Sequence, residues 1–221
     1  MAFLASDPEF KWLKELGIEE ECAGIYDGTW KKGNGEELVS MCPINGRPIA
    51  RVKSATSAEY DELINASVAA YKEWRQVTAP KRGEIVRQIG EELRDKIHLL
   101  GRLEALEVGK TAVEGRGEVQ EFVDVCDYAV GMSRMLPGYV FPSERPGHDL
   151  LERWNPLGPC AVITAFNFPI AVYGWNAAIA MICGNTVIWK PSPTAILSTI
   201  ATQRIIATVL ERNNLPGLFN N

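Results

Sequence analysis

Asn167 is the uncharged residue of this sequence best placed to do chemistry. It stands in ITAFNFP, residues 163–169, a hydrogen-bonding amide between two phenylalanines at the end of an apolar run. An amide just beyond the carboxyl end of a strand can donate to a developing oxyanion, typically worth about 3 kcal/mol in a transition state. The plainer role for the same residue is to cap a helix opening at Pro169, accepting one orphan N–H. Phe168, Ala171 and Trp175 follow at helical spacing; they form either ordinary core or an apolar wall beside that amide, suited to a small organic substrate. Lys190 closes a second apolar run, TVIWK, at the same sheet edge. There it is either solvated or in contact with a ribose or phosphate oxygen.

Other reactive residue types offer less. Cys160 begins an apolar strand and Cys183 closes an apolar helix, and neither has a neighbour in sequence that would favour the thiolate, so both read as inert core. Five widely spaced cysteines fit reduced thiols better than a disulfide framework. His98 and His148 do not combine with cysteines at metal-ligand spacing, so no metal site is expected. Gly109-Lys110-Thr111 matches the end of a phosphate-binding loop, but Glu104 stands where the loop's first glycine belongs and the preceding segment is helical. No G-x-G-x-x-G fingerprint occurs either.

The elements that must position Asn167 and Lys190 follow from breakers and periodicity. Between Trp154 and Trp189 no charged residue occurs. The reading is a strand over 160–166 covered on both faces, a helix from Pro169 to the breaker Gly184, and a strand over 186–190 ended by Pro191. A helix over 194–213 follows, and Leu215-Pro216-Gly217 then leads toward a further strand. Each boundary carries its own breaker, which a single membrane-spanning helix would not need. Upstream, residues 3–18 pattern as a short amphipathic helix and Asn45-Gly46 marks a hairpin. Thr56 and Glu59 form a capping box for a helix to about Trp74. A second helix opens at Pro80, burying Ile85, Ile89, Leu93, Ile97 and Leu100, and stops at Gly109. A third runs from about Ala112 to Leu136 with Val119, Phe122, Cys126, Ala129 and Met132 on one side, and two short strands flank the turn at 143–148. The fold class is α/β: N-terminal helices and hairpins (1–153) leading into a doubly wound parallel sheet (154–221) that the chain leaves unfinished.

The net charge of −5 argues against a nucleic-acid partner held through phosphates. The N-terminus turns acidic too early for a secretory signal and lacks transit-peptide bias, so a cytoplasmic location is expected, with a mitochondrial one open to a longer isoform.

Taken together, WNPLGPCAVITAFNFPIAVYGWNAAIAMICGNTVIWKPSPT resembles the coenzyme-domain core of the aldehyde dehydrogenase superfamily. The shared order is W-N-P-x-G, an apolar strand ending F-N-F-P, then G-N and a strand ending K-P-S. MCPINGRPIARV, GEVQEFVDVCDYAVG, PSERPGH and AVYGWNAAIAMICGN resemble its antiquitin branch, the α-aminoadipic semialdehyde dehydrogenases. The resemblance covers about residues 24–217.

It implies that Asn167 is the oxyanion amide and that Thr164, Ala165 and Phe166 line the nicotinamide side of an NAD cleft. Lys190 bonds the adenosine ribose, with Ser192 and Pro193 following it in the coenzyme-binding segment. Many superfamily members carry Glu where Pro193 stands, which leaves NAD against NADP open. Glu121 is similar in position to the branch's acidic residue that meets the substrate's amino group; from the residues alone it reads as solvated helix surface. The resemblance also implies a small aldehyde as substrate, a role in lysine catabolism, a homotetramer, and neither membrane nor nucleic acid as partner. The family's nucleophilic Cys, general-base Glu and Gly-rich coenzyme turn have no counterpart in these residues. The expectation is therefore an N-terminal fragment, inactive alone, or else a short non-catalytic module that docks on full-length subunits.

Overall fold

The computed structural model describes residues 2–221. The first segment departs from the expected amphipathic helix. It forms two 3₁₀ stretches, Leu4–Ser6 and Pro8–Leu16, because Asp7 stays extended to cap the second and Phe10 leaves helical geometry. The short strands β1 (Glu21–Cys22), β2 (Ile25–Tyr26) and β3 (Trp30–Lys31) follow. Next come β4 (Glu37–Met41) and β5 (Pro48–Lys53), the antiparallel hairpin expected around Asn45-Gly46, where Gly46 takes the left-handed conformation at φ +66°.

Three helices come next. α1 (Ser57–Trp74) starts at the Thr56–Glu59 capping box. α2 (Ala79–Val108) ends at Gly109, which is left-handed at φ +81°. α3 (Ala112–Met132) opens with a second capping box, Thr111 with Glu114, which went unread in the sequence. It stops four residues before Leu136. β6 (Val140–Pro142) and β7 (Asp149–Leu151) then pair as an exposed hairpin.

The remaining elements build the sheet that matters here: β8 (Pro159–Ile163), α4 (Ala171–Ile182), β9 (Thr186–Lys190), α5 (Ile196–Arg212) and β10 (Phe219–Asn220). The strands lie in the order β8-β9-β10, all parallel, with Ile163 opposite Lys190 and Val187 opposite Phe219. Alternation along β9 sends Val187 and Trp189 toward α4, where Tyr173 stacks on Trp189 at 3.6 Å and 5°. Thr186 and Ile188 face α1, through Ser67 and Leu63. Helices therefore cover both faces of β9.

They do not cover both faces of β8, contrary to expectation. β8 is an edge strand. Val162 is buried on the α4 side, whereas Ala161 and Ile163 are exposed on the other, Ile163 by 72%. Apolar composition alone cannot separate a doubly covered strand from an edge strand whose outer face is bare. No helix among the described residues is long and apolar enough to cross a membrane.

One apolar core runs through α2, α3, α4, β9 and α5. α3 and α4 approach so closely that a Cβ on Gly174 would come within 2.3 Å of the Phe122 ring. Only glycine permits this contact, which sets α4 at a fixed depth behind β8 and β9.

Candidate active site

The ends of β8 and β9 form one edge, as ladder register requires. Thr164 N–H still donates to Lys190 C=O at 3.1 Å, after which residues 165–168 leave the ladder. Thr164 itself is buried, and its hydroxyl accepts the Trp189 indole N–H at 2.9 Å. That hydroxyl is spent on anchoring the segment.

Asn167 lies four residues beyond the strand, exposed, its amide making no hydrogen bond among the described residues. It does not cap the following helix. α4 begins at Ala171, two residues later than Pro169 allowed, and its N-terminus is capped from α3 instead. Glu118 Oε1 accepts Ile170 N–H at 2.7 Å and Ala171 N–H at 3.1 Å. The carboxylate satisfies two orphan donors and complements the positive end of the helix, so the Asn167 amide is left free.

Around Asn167 the expected residues separate into groups. Phe166 and Phe168 are exposed by 57% and 41% and Trp175 by 44%, forming an apolar rim with the exposed Ala165. Ala171 is fully buried and contributes no surface to that rim. Glu121 is exposed on α3, one turn after Glu118 and beside Phe122, which packs against α4.

Lys190 is exposed and without an ion-pair partner among the described residues. With Pro191 and Pro193 it lines a cavity of about 300 Å³ between β5, α1 and the start of α5. Pro193 also lines a second hollow of about 430 Å³ together with Phe166, Thr194 and Glu107. Ser192 is half-buried, its hydroxyl 3.0 Å from that of Thr194. Asn167 borders neither cavity.

Four residues that sequence reasoning missed hold this edge together. Glu107, fully buried, caps α5 as Glu118 caps α4. Its Oε1 accepts Leu197 N–H and the Ser40 hydroxyl, both at 2.8 Å, and its Oε2 accepts Ser198 N–H and the Ser198 hydroxyl, both at 2.7 Å. Burial pushes its carboxyl above the ordinary range, opposed by those four donors. Both helix N-termini at this edge are therefore filled by the chain's own carboxylates. Neither terminus is open to a phosphate group, the ligand that helix N-termini commonly take.

The third and fourth are Glu104 and Lys110. Lys110 Nζ pairs with Glu118 Oε2, lies 3.3 Å from Glu104 Oε1, and sits 4.1 Å from the centroid of the Phe168 ring. Glu104 is fully buried, and burial together with the neighbouring Glu118 carboxylate pushes it up to about 10, so it is neutral at pH 7. Burial pulls Lys110 down, but its two glutamate partners, Glu118 foremost, outweigh that and hold it above its usual range. A signal for these acids was present: Glu104 and Glu107 continue the apolar stripe of Leu93, Ile97 and Leu100, and Glu118 precedes Phe122 by four residues on the buried face of α3.

Neither Cys160 nor Cys183 carries an activated thiol. Burial pushes Cys160 and Cys183 up, and for Cys183 the Arg82 charge opposes without reversing this.

The fold at this site is of α/β type: a parallel sheet edge that bears a free amide and a strand-end lysine, with its helix termini already occupied. The chain belongs to the aldehyde dehydrogenase family, whose model matches residues 30–218. It is 58% identical over 214 residues to the α-aminoadipic semialdehyde dehydrogenase of Bos taurus, a match covering 97% of this chain and 40% of that protein. Among solved structures, the aldehyde dehydrogenase of Brucella melitensis biovar abortus 2308 has a TM-score of 0.85 at 26% identity, covering 100% of this chain and 43% of its own. A point mutant of betaine aldehyde dehydrogenase from Staphylococcus aureus, solved in complex with NAD+, has a TM-score of 0.82 at 28% identity, covering 90% and 40%. The chain thus spans about 40% of the length of the bovine relative.

Proposed function

We propose that this chain supplies the oxyanion amide and one wall of the coenzyme cleft of an NAD-dependent aldehyde dehydrogenase acting on an α-aminoadipic semialdehyde-like substrate. The observation that carries the reading is Asn167: a free amide just past the carboxyl end of β8, relieved of capping duty by Glu118. Its N–H₂ donates to the aldehyde oxygen as a nucleophile adds and negative charge develops there. Phe166, Phe168 and Trp175 exclude water around the carbonyl. Glu121 meets the substrate's ammonium group, a carboxylate suited to a charge-assisted hydrogen bond. Lys190, Ser192 and Pro193 border the region that receives the adenosine half, while Ala165, Phe166 and the backbone at Thr164 face the nicotinamide, which accepts hydride when bound.

Neither Cys160 nor Cys183 is set up as a thiolate, so the attacking nucleophile comes from residues other than these, and this chain by itself does not turn over. The enzyme that includes it is proposed as a cytoplasmic homotetramer, with a mitochondrial location open to a longer isoform.

The test is a chimera. The matching 214 residues of the bovine enzyme are replaced by this chain, and NADH formation from α-aminoadipic semialdehyde is followed. The chimera is expected to be active, Asn167→Ala to lower its kcat by about 10²–10³, and the 221-residue chain alone to form no NADH. An Asn167→Ala chimera with unchanged kcat, or turnover by the isolated chain, overturns the reading.

A second reading is favoured by the β6–β7 hairpin, where Val140, Phe141, Leu150 and Leu151 are all exposed, by 48–76%. Such a surface suits a non-catalytic module docking on a full-length subunit. Light scattering after sizing chromatography separates the two: an isolated chain that is a clean monomer, and stays one when mixed with the full-length enzyme, excludes the docking role.

A further inference from the structure

Lys110 occupies a singular place. It is the one residue between two helix caps: Gly109, the left-handed terminator of α2, and Thr111, whose hydroxyl opens α3. Its backbone is therefore pinned on both sides, and its side chain is a short arm from a rigid corner. The arm carries a charge into partly buried surroundings, where two glutamate side chains from two different helices, Glu104 of α2 and Glu118 of α3, hold the ammonium.

Its third neighbour is what calls for explanation. The ammonium lies 4.1 Å from the centroid of the Phe168 ring, the residue next to Asn167. By hydrogen bonds the segment it touches is anchored only at its ends. Thr164 is held by Lys190 and Trp189, and Ile170 with Ala171 by Glu118. Between them, the backbone amides of Ala165, Phe166, Asn167 and Phe168 make no hydrogen bond among the described residues, and residue 169 is a proline with no N–H to give. An amide meant to meet one developing charge loses its effect if its carrier wanders by about an ångström. Something must restrain the middle of the segment, and the Lys110–Phe168 contact spans it.

We propose that Lys110 is a positioning residue for the Asn167 amide: held between Glu104 and Glu118, it clamps the Phe168 ring and so fixes residues 165–168 over the sheet edge. The inference rests on the reading of Asn167 as the oxyanion donor for its purpose, but not for its physics. Glu118 serves both ends of the device, gripping Lys110 through one oxygen and the α4 N-terminus through the other. The clamp and the helix it points along are thus a single unit. Arginine would keep the charge, both glutamate partners and the ring contact; methionine would keep only the length.

The test uses the 221-residue chain, with neither coenzyme nor aldehyde, so its outcome is independent of whether the dehydrogenase reading stands. Backbone ¹⁵N relaxation gives the order parameters of residues 165–168, with those of 172–182 and 197–212 as internal controls. In the unaltered chain the segment is expected near about 0.85, the value of a rigid backbone. Lys110→Met and Phe168→Leu should each lower it below about 0.6, the flexible range. The double variant should fall no further, because both changes remove the same contact. Lys110→Arg should restore the rigid value.

Three results overturn the proposal: a segment already mobile in the unaltered chain, a segment equally rigid in Phe168→Leu, or loosening of α4 and α5 to the same extent as 165–168. The last would make the cluster a general fold element. Phe168→Leu leaves the ion cluster intact, so it decides the matter even if Lys110→Met does not fold.

Discussion

Replacing Glu107 by glutamine separates two accounts of how α5 is held. Each Glu107 oxygen accepts one backbone N–H and one hydroxyl. A carboxylate serves all four donors. A protonated carboxyl also can, since its own proton is donated to a serine oxygen while the remaining lone pair still accepts the N–H. Glutamine cannot: its NH₂ has no lone pair, so whichever way it is turned, either Leu197 N–H or Ser198 N–H faces another donor. A buried unsatisfied donor costs about 1–3 kcal/mol, and the expected loss for Glu107→Gln is about 2–3 kcal/mol. Glu107→Ala orphans both N–H groups and frees two hydroxyls, for a loss of about 4–6 kcal/mol, much of the stability of a small domain. Urea unfolding of the 221-residue chain by circular dichroism reads both numbers, and hydrogen exchange at Leu197 and Ser198 shows whether the damage starts there. A Glu107→Gln chain within about 1 kcal/mol of the unaltered one refutes the reasoning, since it would mean those N–H groups find another acceptor at no cost.

Glu104 has a distinct signature in pH. Its folded form holds a proton up to about 10 against an ordinary value of 4.5, so its stabilisation is complete below pH 4.5 and is lost as pH rises toward 10. Glu104→Gln removes that loss, and the denaturant midpoint measured at pH 5, 7 and 9 should fall less steeply; an unchanged slope would count against a neutral Glu104. Gly174→Ala drives a methyl into the Phe122 ring and should cost about 1–3 kcal/mol, seen as a lower thermal midpoint with the secondary structure retained. Thr111→Ala removes the α3 cap and should cost about 1 kcal/mol, read by the same unfolding titration. At pH 7 Cys160 and Cys183 should react with a disulfide reagent far more slowly than a free thiol, and Cys126 only on unfolding; one fast thiol would reopen the question of a nucleophile in this chain.

Local chemistry made much of the architecture readable in advance. Thr56 with Glu59, Asn45-Gly46, Gly109, Gly184 and Pro191 each act within a few residues, and each marks a boundary where expected. The errors arose where a distant element decided. Whether β8 is covered depends on where α1 lies. Whether Asn167 caps α4 depends on Glu118, which lies 52 residues before Ile170 in the chain. The same limit hid the glutamates. On a helical stripe an acidic residue looks like an interruption, and only its partner, a helix terminus 52 to 91 residues away, shows why it is buried. At the site, the position of Asn167 beyond the strand was readable, but the release of its amide was not.

That separation has a consequence for synthesis on the ribosome. At about 5–20 residues per second, roughly 3–18 s pass between the emergence of each glutamate and that of the helix end it will occupy. α2 and α3 have ample time to pair first, since helices form in about a microsecond. During that interval the nascent hairpin displays Glu107 and Glu118 along its otherwise apolar flank, charges that discourage wrong partners. When α4 and α5 arrive, the same acids stop repelling and become the sockets into which the newcomers seat.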